Sequence, residues 1–363
     1  MSTGMNPYKR ILIINIYGIG DVLFTTPLLQ ALHQNFPEAK IDYICNRRAL
    51  DILSPQAFIN ECIVYERDEW HKIKKQSLMR YLKKLLSFQK MIYERHYDLV
   101  FDLSLNSQFN LLTFIARIKE RVGLNYRNRS PLLTRKIDLY GFEDKPVVEY
   151  YLDLLPLLGC KPTTFPLSFP VSKEDEEWAR VFFKKNKINP KKKIVGIIPG
   201  GGASWGPDAV DRRWPGEKFA KLADKLIEKF CVQIILFGDS RERELCENVR
   251  RSMQNACLVA CGEANLGQFA AFLKACTLVI LNDGGPLHIA MAVRSKVVAI
   301  FGPVNENVYG PYPPDGSTVV NHATLCRPCY KRFRRSQCDH ISCLRQLSEE
   351  NVLLKIEELG YLS

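Results

Sequence analysis

The sequence predicts an α/β protein made of two open parallel-sheet domains. The chain has 363 residues, and a typical domain has roughly 150. Short apolar runs alternate with amphipathic stretches in both halves, as in parallel strands covered by helices. A polar stretch, SKEDEEWARVFFKKNKINPKKK, separates the two series. We therefore expect a first domain over 1–165, a linker over 166–192, a second domain over 193–345 and, over 346–363, a C-terminal helix that packs back across the linker.

Composition limits the classes of protein. Hydrophobic residues make up 46% and charged residues 25% of the chain, which excludes a disordered, collagenous or coiled-coil protein. The 51 Lys and Arg exceed the 39 Asp and Glu, for a formal charge of +12. This excess favours anionic partners, but it does not choose among nucleic acids, phosphorylated ligands and acidic lipids.

Targeting signals are not evident in the sequence. The opening MSTGMNPYKR lacks a following apolar core, because GIGD interrupts ILIINIY. The longest apolar stretch, 99–118, is interrupted by Asp102, Asn106, Gln108, Asn110 and Arg117 and so falls short of a membrane span. We expect a soluble, cytoplasmic protein in which the eight cysteines up to Cys276 are reduced and structural.

The first domain begins with four predicted strands. They are RILIINIY, KIDYICN, ECIVYE and LVFDLSL, with the helix VLFTTPLLQALHQNF after the first. Residues 70–95 predict a basic amphipathic helix or helix pair, with Leu78, Leu82, Leu85 and Leu86 on one face. A solvated helix face is the favoured interpretation, and docking on an acidic surface is the alternative.

The second domain repeats the alternation. Its predicted strands are KKIVGIIPG, VQIILFGD, TLVILND and KVVAIFGP, and its helices cover 215–230, 266–275 and a stretch starting at Pro286. A final helix is expected in LSEENVLLKIEELGYL, with Ser348 as its cap. Two such domains imply a cleft at the carboxyl ends of their sheets, where ligands usually bind.

The first candidate site is GIGD, residues Gly18 to Asp21, between the first strand and the first helix. Glycines allow close approach of a ligand to the backbone, and a helix start attracts anions. Leu23 stands where the dinucleotide fingerprint needs its third glycine. Asp21 is therefore either a reactive carboxylate at the mouth of the cleft or a helix cap.

The second candidate site is LNDGGPLHIAMA. A strand ends at Asp283, Gly284 and Gly285 form a tight turn, Pro286 suits a first helical position, and His288 lies in the first turn. Backbone amides in such a turn bind anions, so the motif outlines a diphosphate site. The alternative is an ordinary turn in which Asp283 caps the helix.

Two further segments supply charge and sugar contacts. Arg212, in the loop DRRWP, is positioned to stabilise charge on a departing phosphate. Glu242, in SRERE, is either a ribose contact or an exposed helix carboxylate.

These motifs carry a resemblance. GIGDVLFTTPLLQAL, RRWPGEKFAKLADKL and NDGGPLHIAMA followed by VVAIFGP resemble, in order, glycosyltransferase family 9, the heptosyltransferases of lipopolysaccharide core assembly. The resemblance covers almost the whole chain. It implies the GT-B architecture, two Rossmann-like domains facing a cleft, and metal-independent, inverting transfer of a heptose from ADP-heptose to a lipid A-linked core saccharide.

On the acceptor side, the resemblance assigns Asp21 as the general base that deprotonates the acceptor hydroxyl. Gly18 and Gly20 form the acceptor-side loop. The acceptor is then an anionic lipid-linked saccharide, and the enzyme contacts the cytoplasmic face of the inner membrane peripherally.

On the donor side, Arg212 matches a phosphate contact, Glu242 a ribose contact and Asp283 a contact to the donor sugar. Gly284, Gly285 and the helix after them hold the diphosphate. No cofactor is required for catalysis.

The sequence departs from the family pattern at three positions. Gly284 replaces a common Ser or Thr, Arg212 a common Lys, and Asn15 a common Arg. His288 falls on the motif's histidine, for which the resemblance implies loop support. These departures leave open another nucleotide-sugar donor or a protein acceptor.

A cysteine-rich segment, 326–343, reads CRPCYKRFRRSQCDHISC. Its cysteines are Cys326, Cys329, Cys338 and Cys343. They predict either a structural Zn or Fe site or free thiols, because the last pair does not have the spacing of a second C-x-x-C knuckle.

Three rival functions remain at this level. A sugar-nucleotide epimerase shares the scaffold but does not use an acceptor. A non-catalytic nucleotide-sugar protein does not need Asp21, and an NAD-dependent dehydrogenase needs the missing glycine. Nucleic-acid binding is not expected, because the basic residues are dispersed over both domains.

Overall fold

The computed structural model describes residues 8–202 and 206–363. The chain forms two compact units, the first reaching Phe142 and including Val147–Phe165, the second comprising Glu143–Pro146 and Pro166–Ser363. No helix in these described ranges is long and apolar enough to cross a membrane.

The first unit is a parallel six-stranded sheet with helices. Its strands are β1 Arg10–Ile14, β2 Lys40–Cys45, β3 Ile59–Val64, β4 Leu99–Asp102, β5 Glu120–Tyr126 and β6 Arg135–Leu139. Its helices are α1 Ile19–Leu23, α2 Thr26–Asn35, α3 Leu50–Leu53, α4 Arg67–Gln76, α5 Leu78–Glu94, α6 Ser107–Ile115 and α7 Val147–Leu152, with 3-10 turns at Arg47–Ala49 and Pro156–Leu158.

The second unit is built on the same plan. Its helices are α8 Lys173–Lys185, α9 Gly216–Phe230, α10 Arg243–Ser252, α11 Leu266–Ala275, α12 Gly285–Ala292, α13 Glu306–Tyr309, α14 Ser342–Arg345 and α15 Glu349–Leu359. Its sheet strands are β7 Ile194–Ile198, β8 Gln233–Leu236, β9 Leu258–Val259, β10 Leu278–Asn282, β11 Val297–Phe301 and β12 Ser317–Asn321. A small antiparallel hairpin, β13 Tyr330–Lys331 and β14 Arg334–Arg335, follows the sheet, and 3-10 turns lie at Gly206–Arg212 and Ser240–Glu242.

Both sheets have the same strand order. The first runs β3-β2-β1-β4-β5-β6 and the second β9-β8-β7-β10-β11-β12, with all neighbours parallel. The first three strands of each unit follow one another toward one edge of the sheet, and the next three follow one another toward the other edge. Ligands bind outside the carboxyl ends of the two strands between which this change occurs, which is called the switch point. The switch points are β1/β4 in the first unit and β7/β10 in the second.

The strand interiors explain why the units form. The central strands β4, β10 and β11 are buried along their whole length, as expected for parallel strands covered on both faces. The α/β prediction of two parallel sheets is confirmed. Strands β5, β6, β9 and β12 and helix α10 were not among the predicted elements.

The region 166–192, expected to be a linker, carries helix α8. Ser172 caps this helix, acidic residues fill its first turn, and Lys184 and Lys185 lie in its last turn. Trp178 and Phe182 pack on Phe272 of α11, with ring centroids 5.2 and 5.0 Å apart. This apolar contact places the helix in the second unit.

The terminal helix α15 begins at the predicted cap, where the Ser348 side chain accepts a hydrogen bond from the amide of Asn351. Its buried residues Val352 and Ile356 join the core of the second unit. Lys229 of α9 donates to Glu357 at 2.6 Å. The helix therefore packs on α9, whereas we expected it to cross the linker.

Candidate active site

The first switch point carries the loop after β1, which is held by a buried asparagine. The Asn15 side chain is fully buried; its oxygen accepts from the amide of Tyr17 at 3.1 Å, and its nitrogen donates to the carbonyl of Asp21 at 3.2 Å. An amide side chain supplies both a donor and an acceptor. The asparagine side chain therefore links Tyr17 of the loop to Asp21 of α1.

Asp21 is the third residue of the short helix α1. Its carboxylate accepts from the amide of Gly18 at 3.1 Å, in a capping arrangement. Asp21 therefore makes a capping contact, and its role as general base stays a prediction. Gly18 is extended, with φ −69° and ψ 173°, and Gly20 is helical, so neither needs a positive φ.

A buried carboxylate that sequence reasoning missed stands at the end of β4. Asp102 accepts from the Ser104 amide at 3.0 Å, the Ser104 hydroxyl at 2.5 Å and the Asn110 side chain at 2.6 Å. Burial raises the pKa of Asp102 to about 6, although these hydrogen bonds oppose the rise. Its sequence signal was an acidic residue at the carboxyl end of an apolar strand.

Tyr17 connects this carboxylate to the loop of Asp21. Its hydroxyl donates to the carbonyl of Ser104, and its own carbonyl accepts from Asn46. Burial raises the pKa of Tyr17 to about 12, and the charges of Asp21 and Asp102 add to the rise. The ends of β1 and β4 are therefore joined by hydrogen bonds around a neutral phenol.

The second switch point brings the loop Pro199–Gly202 against the motif after β10. Asn282 is fully buried; its side-chain nitrogen donates to the carbonyl of Pro199 at 2.7 Å, and its oxygen accepts from the amide of Trp214 at 2.9 Å. Asn282 thus fixes both segments that flank the Arg212 loop. Asn282 belongs to the motif LNDGGPLHIAMA, but the sequence did not indicate a role for it.

Gly284 is required by close packing of two backbones. It has a φ of +153°, and a Cβ atom there would lie 2.1 Å from the carbonyl oxygen of Gly201. Gly201 and Gly202 have φ of +84° each. A Ser or Thr side chain therefore does not fit this backbone, which requires a glycine.

Asp283 and Arg212 form a buried ion pair at the same place. The Asp283 side chain is 3% exposed and the Arg212 side chain 11%. Burial raises the pKa of Asp283, and the Arg212 charge opposes that rise. The interpretation of Asp283 as a helix cap is wrong. The residue that caps α12 is Gly284, and no described side chain forms a hydrogen bond at that cap.

His288, in the first turn of α12 as predicted, is buried beside this pair. Burial, together with the Arg212 charge, lowers the pKa of His288 to about 3. The imidazole is therefore neutral at physiological pH, which fits a packing role for His288 better than proton transfer.

Glu242 is buried, so the interpretation as an exposed helix carboxylate is wrong. One of its oxygens accepts from the amide of Gly202 at 3.0 Å and the other from the amide of Asp239 at 3.1 Å. Arg213 approaches the first oxygen at 3.5 Å and donates to the carbonyl of Gly200 at 2.7 Å. Glu242 thus organises the glycine loop, and its contact with a ribose stays a prediction.

The hairpin β13–β14 of the cysteine-rich segment also reaches this site. Arg335 pairs with Asp211, the neighbour of Arg212 in the chain. The amides of Cys329 and Tyr330 donate to the carbonyl of Pro303 at the end of β11, at 3.0 and 3.1 Å. The segment therefore braces the donor-side edge of the second sheet, which the sequence did not indicate.

The four cysteines of this segment are free thiols, as are the eight upstream. Burial raises the pKa of Cys329, and it raises that of Cys343 to about 11, with the other thiolates of the segment adding to both. Among residues 8–202 and 206–363, three or more His, Cys, Asp or Glu side chains do not come together in a geometry that fits a metal ion. The Zn or Fe site stays a prediction without geometric support.

Upstream, Cys45 lies beside Cys62 and Cys246 lies beside Cys261. The thiol of Cys246 donates to the carbonyl of Phe237 at 3.5 Å, and the thiol of Cys261 donates to the carbonyl of Leu236 at 3.9 Å.

Comparison with known proteins identifies the family. The model of glycosyltransferase family 9 (heptosyltransferase) matches residues 85–340. Lipopolysaccharide heptosyltransferase 2 of Escherichia coli K12 is 27% identical over 362 residues, covering 96% of this chain and 99% of that protein.

Solved structures show the same fold. The glycosyl transferase family 9 structure from Veillonella parvula DSM 2008 has a TM-score of 0.81 at 23% identity and covers all of both chains. The E. coli ADP-heptose lps heptosyltransferase II has a TM-score of 0.73 at 22% identity, covering 97% of this chain and 98% of that one. Because the family match spans well over half of the sequence, this chain belongs to glycosyltransferase family 9 and is a glycosyltransferase of the GT-B fold class.

Proposed function

We propose that this enzyme transfers a heptose from ADP-heptose to a lipid A-linked saccharide of the lipopolysaccharide core, with inversion and without a catalytic metal. The heptosyltransferase family and the name of the E. coli relative support heptose transfer in lipopolysaccharide synthesis. The E. coli structural neighbour is named for ADP-heptose, which supports this donor.

The buried pair of Arg212 and Asp283 is the observation that carries the donor half of this proposal. It lies at the switch point of the second sheet, beside the first turn of α12. The guanidinium and the backbone amides at the helix start offer N–H donors to a diphosphate, both in the bound donor and as it leaves. The carboxylate of Asp283 accepts hydrogen bonds from sugar hydroxyls, which suits a residue beside the donor sugar.

Asp21 supplies the acceptor half. In this mechanism its carboxylate takes the proton of the acceptor hydroxyl as that oxygen attacks the anomeric carbon, and the bond to ADP breaks on the opposite face. Attack opposite the leaving group inverts the anomeric configuration.

The test has a binding step and a transfer step. Calorimetric titration in EDTA compares ADP-heptose with UDP- and GDP-sugars, and a transfer assay then uses a lipid A-linked core acceptor. We expect selective binding of ADP-heptose. Asp21→Asn is expected to keep donor affinity and to lose transfer by at least a hundredfold, the lower end of what general bases contribute.

Asp51→Asn is the matched control, because Asp51 is an exposed acidic residue in the first turn of α3. Preference for another nucleotide sugar would refute the donor assignment while keeping the fold and the base. Near-normal transfer by Asp21→Asn would remove Asp21 from the role of base. Failure of the protein to bind any nucleotide sugar would refute the transferase mechanism as written.

A further inference from the structure

Helix α5 presents three separate stripes. Its core-facing stripe packs under the first sheet and consists of Tyr81, Leu85, Phe88, Met91 and Ile92. A second stripe is apolar and exposed and consists of Leu78, Met79, Leu82, Leu86 and Tyr93. At 100° per residue, Arg80, Lys83 and Lys90 form a third stripe beside the exposed apolar one. This stripe also carries Glu94, which pairs with Lys90 at 3.6 Å, so it is basic by three charges to one. Leu85 therefore does not share the face predicted for it, and the other three leucines point outward.

The neighbouring helix α6 adds to the exposed apolar surface. It packs against α5, buries Phe109 and Leu112, and leaves a second set of large apolar side chains outside, namely Leu111, Phe114 and Ile115. Within the described ranges, eight of the thirteen large apolar side chains that are strongly exposed belong to these two helices. Scattered apolar residues on a surface are ordinary, but this concentration marks an interaction surface.

The charge around these helices selects the partner. Residues 67–95, which form α4 and α5, contain nine Lys and Arg against three Asp and Glu, a net +6 within the +12 of the whole chain. A second copy of this surface would bring like charges together, and a neutral apolar partner would leave the basic stripe unmatched. An anionic bilayer accepts apolar side chains among its acyl chains and basic side chains among its headgroups.

We propose that the exposed faces of α5 and α6, with the basic stripe of α5, form a docking surface for an anionic lipid bilayer. The helices lie in the interface, with Leu82, Leu86 and Phe114 inserted and with Lys83 and Lys90 at the headgroups. This proposal gives the first unit a lipid partner and does not depend on which sugar is transferred.

Vesicle flotation of the full chain tests the proposal. Phosphatidylcholine vesicles containing phosphatidylglycerol are compared with phosphatidylcholine alone, at low and high salt. We expect binding to the anionic vesicles that weakens with salt. Lys83→Ala with Lys90→Ala should weaken it about thirtyfold, since each basic residue at such a surface contributes roughly 1 kcal/mol.

The apolar variant is Leu82→Ser with Leu86→Ser, which should weaken vesicle binding at least tenfold. Its matched control is Leu354→Ser, an exposed leucine on α15 of the second unit, and the charge control is Lys191→Ala with Lys192→Ala. Both controls should bind vesicles like the wild type. All variants should keep donor affinity, so a wrong donor and a wrong docking surface give different results.

Light scattering of the same variants tests whether this surface instead binds a second copy of the chain. Equal binding of wild type and both surface variants to vesicles would overturn the proposal. It would also be overturned if Leu82→Ser with Leu86→Ser converted a dimer to a monomer without changing lipid binding, because the face would then be a contact between copies.

Discussion

Replacing Gly284 with alanine tests the packing of the donor-side turn. The added Cβ atom would lie 2.1 Å from the carbonyl oxygen of Gly201, a distance at which the backbone has to move. The φ of +153° at Gly284 is also one that residues with side chains rarely adopt. The neighbouring Gly285 is a matched control, because a Cβ atom there would meet no described atom within 4 Å.

The expected cost follows from these two effects. Backbone strain at such a position contributes about 1–3 kcal/mol, and forcing a group into a packed site contributes about as much again. We expect Gly284→Ala to destabilise the second unit by about 3 kcal/mol. For a unit of this size that lowers the Tm by roughly 6–12 °C. Gly285→Ala should change the stability by less than about 1 kcal/mol, because the first helical residue tolerates alanine.

The assay is thermal unfolding of both variants, followed by titration with ADP-heptose. The displaced turn carries Asp283, so Gly284→Ala should also bind the donor more weakly than Gly285→Ala. Equal stability of the two variants would refute the argument, since the close approach to Gly201 would then not constrain the turn.

Three further predictions concern the buried polar groups. Glu242→Gln should destabilise the second unit by about 1–3 kcal/mol and weaken donor binding, because one backbone amide loses its acceptor; exposed Glu244→Gln is the control, and a loss of affinity without a loss of stability would instead indicate a ribose contact alone. Arg335→Ala should weaken donor binding by loosening the loop at Asp211, whereas exposed Arg334→Ala should not; equal affinities would contradict this. For Asp102, a folded pKa raised to about 6 means that its stabilising contribution is complete below pH 4 and is lost as the pH rises through 6. Relative to Asp102→Asn, the wild type should therefore lose about 2 kcal/mol of unfolding free energy between pH 4 and pH 7, and a pH-independent difference in chemical denaturation would disprove the shift.

Sequence reasoning placed two candidate motifs correctly in the fold, because their signals were local. The turn after Asn282 and the loop at Gly18 follow apolar strands and precede helices, so strand and helix periodicity was enough to place both at the carboxyl ends of strands. The limits of helix α11, 266–275, matched the prediction for the same reason. The alternation also indicated two parallel sheets.

The interpretation of single carboxylates was less reliable. Glu242 reads as an exposed helix residue because its local sequence, SRERE, is charged, yet it is buried against the amide of Gly202, 40 residues earlier in the chain. Helix α8 was predicted to be a linker for a similar reason. Its charged surface residues are evident in the sequence, whereas its packing partner α11 lies far along the chain.

By itself, then, the sequence determined the α/β class, the two domains, the family and the motifs that follow each strand, because these depend on periodicity and on short runs of residues. Only the tertiary structure decided that Gly201 packs on Gly284, that Arg335 pairs with Asp211 across 124 residues, and that Leu85 faces inward while Leu86 faces out. Such contacts depend on the strand order and on how helices rotate against the sheet. Both are set by the packing of segments far apart in the chain, which local periodicity does not encode.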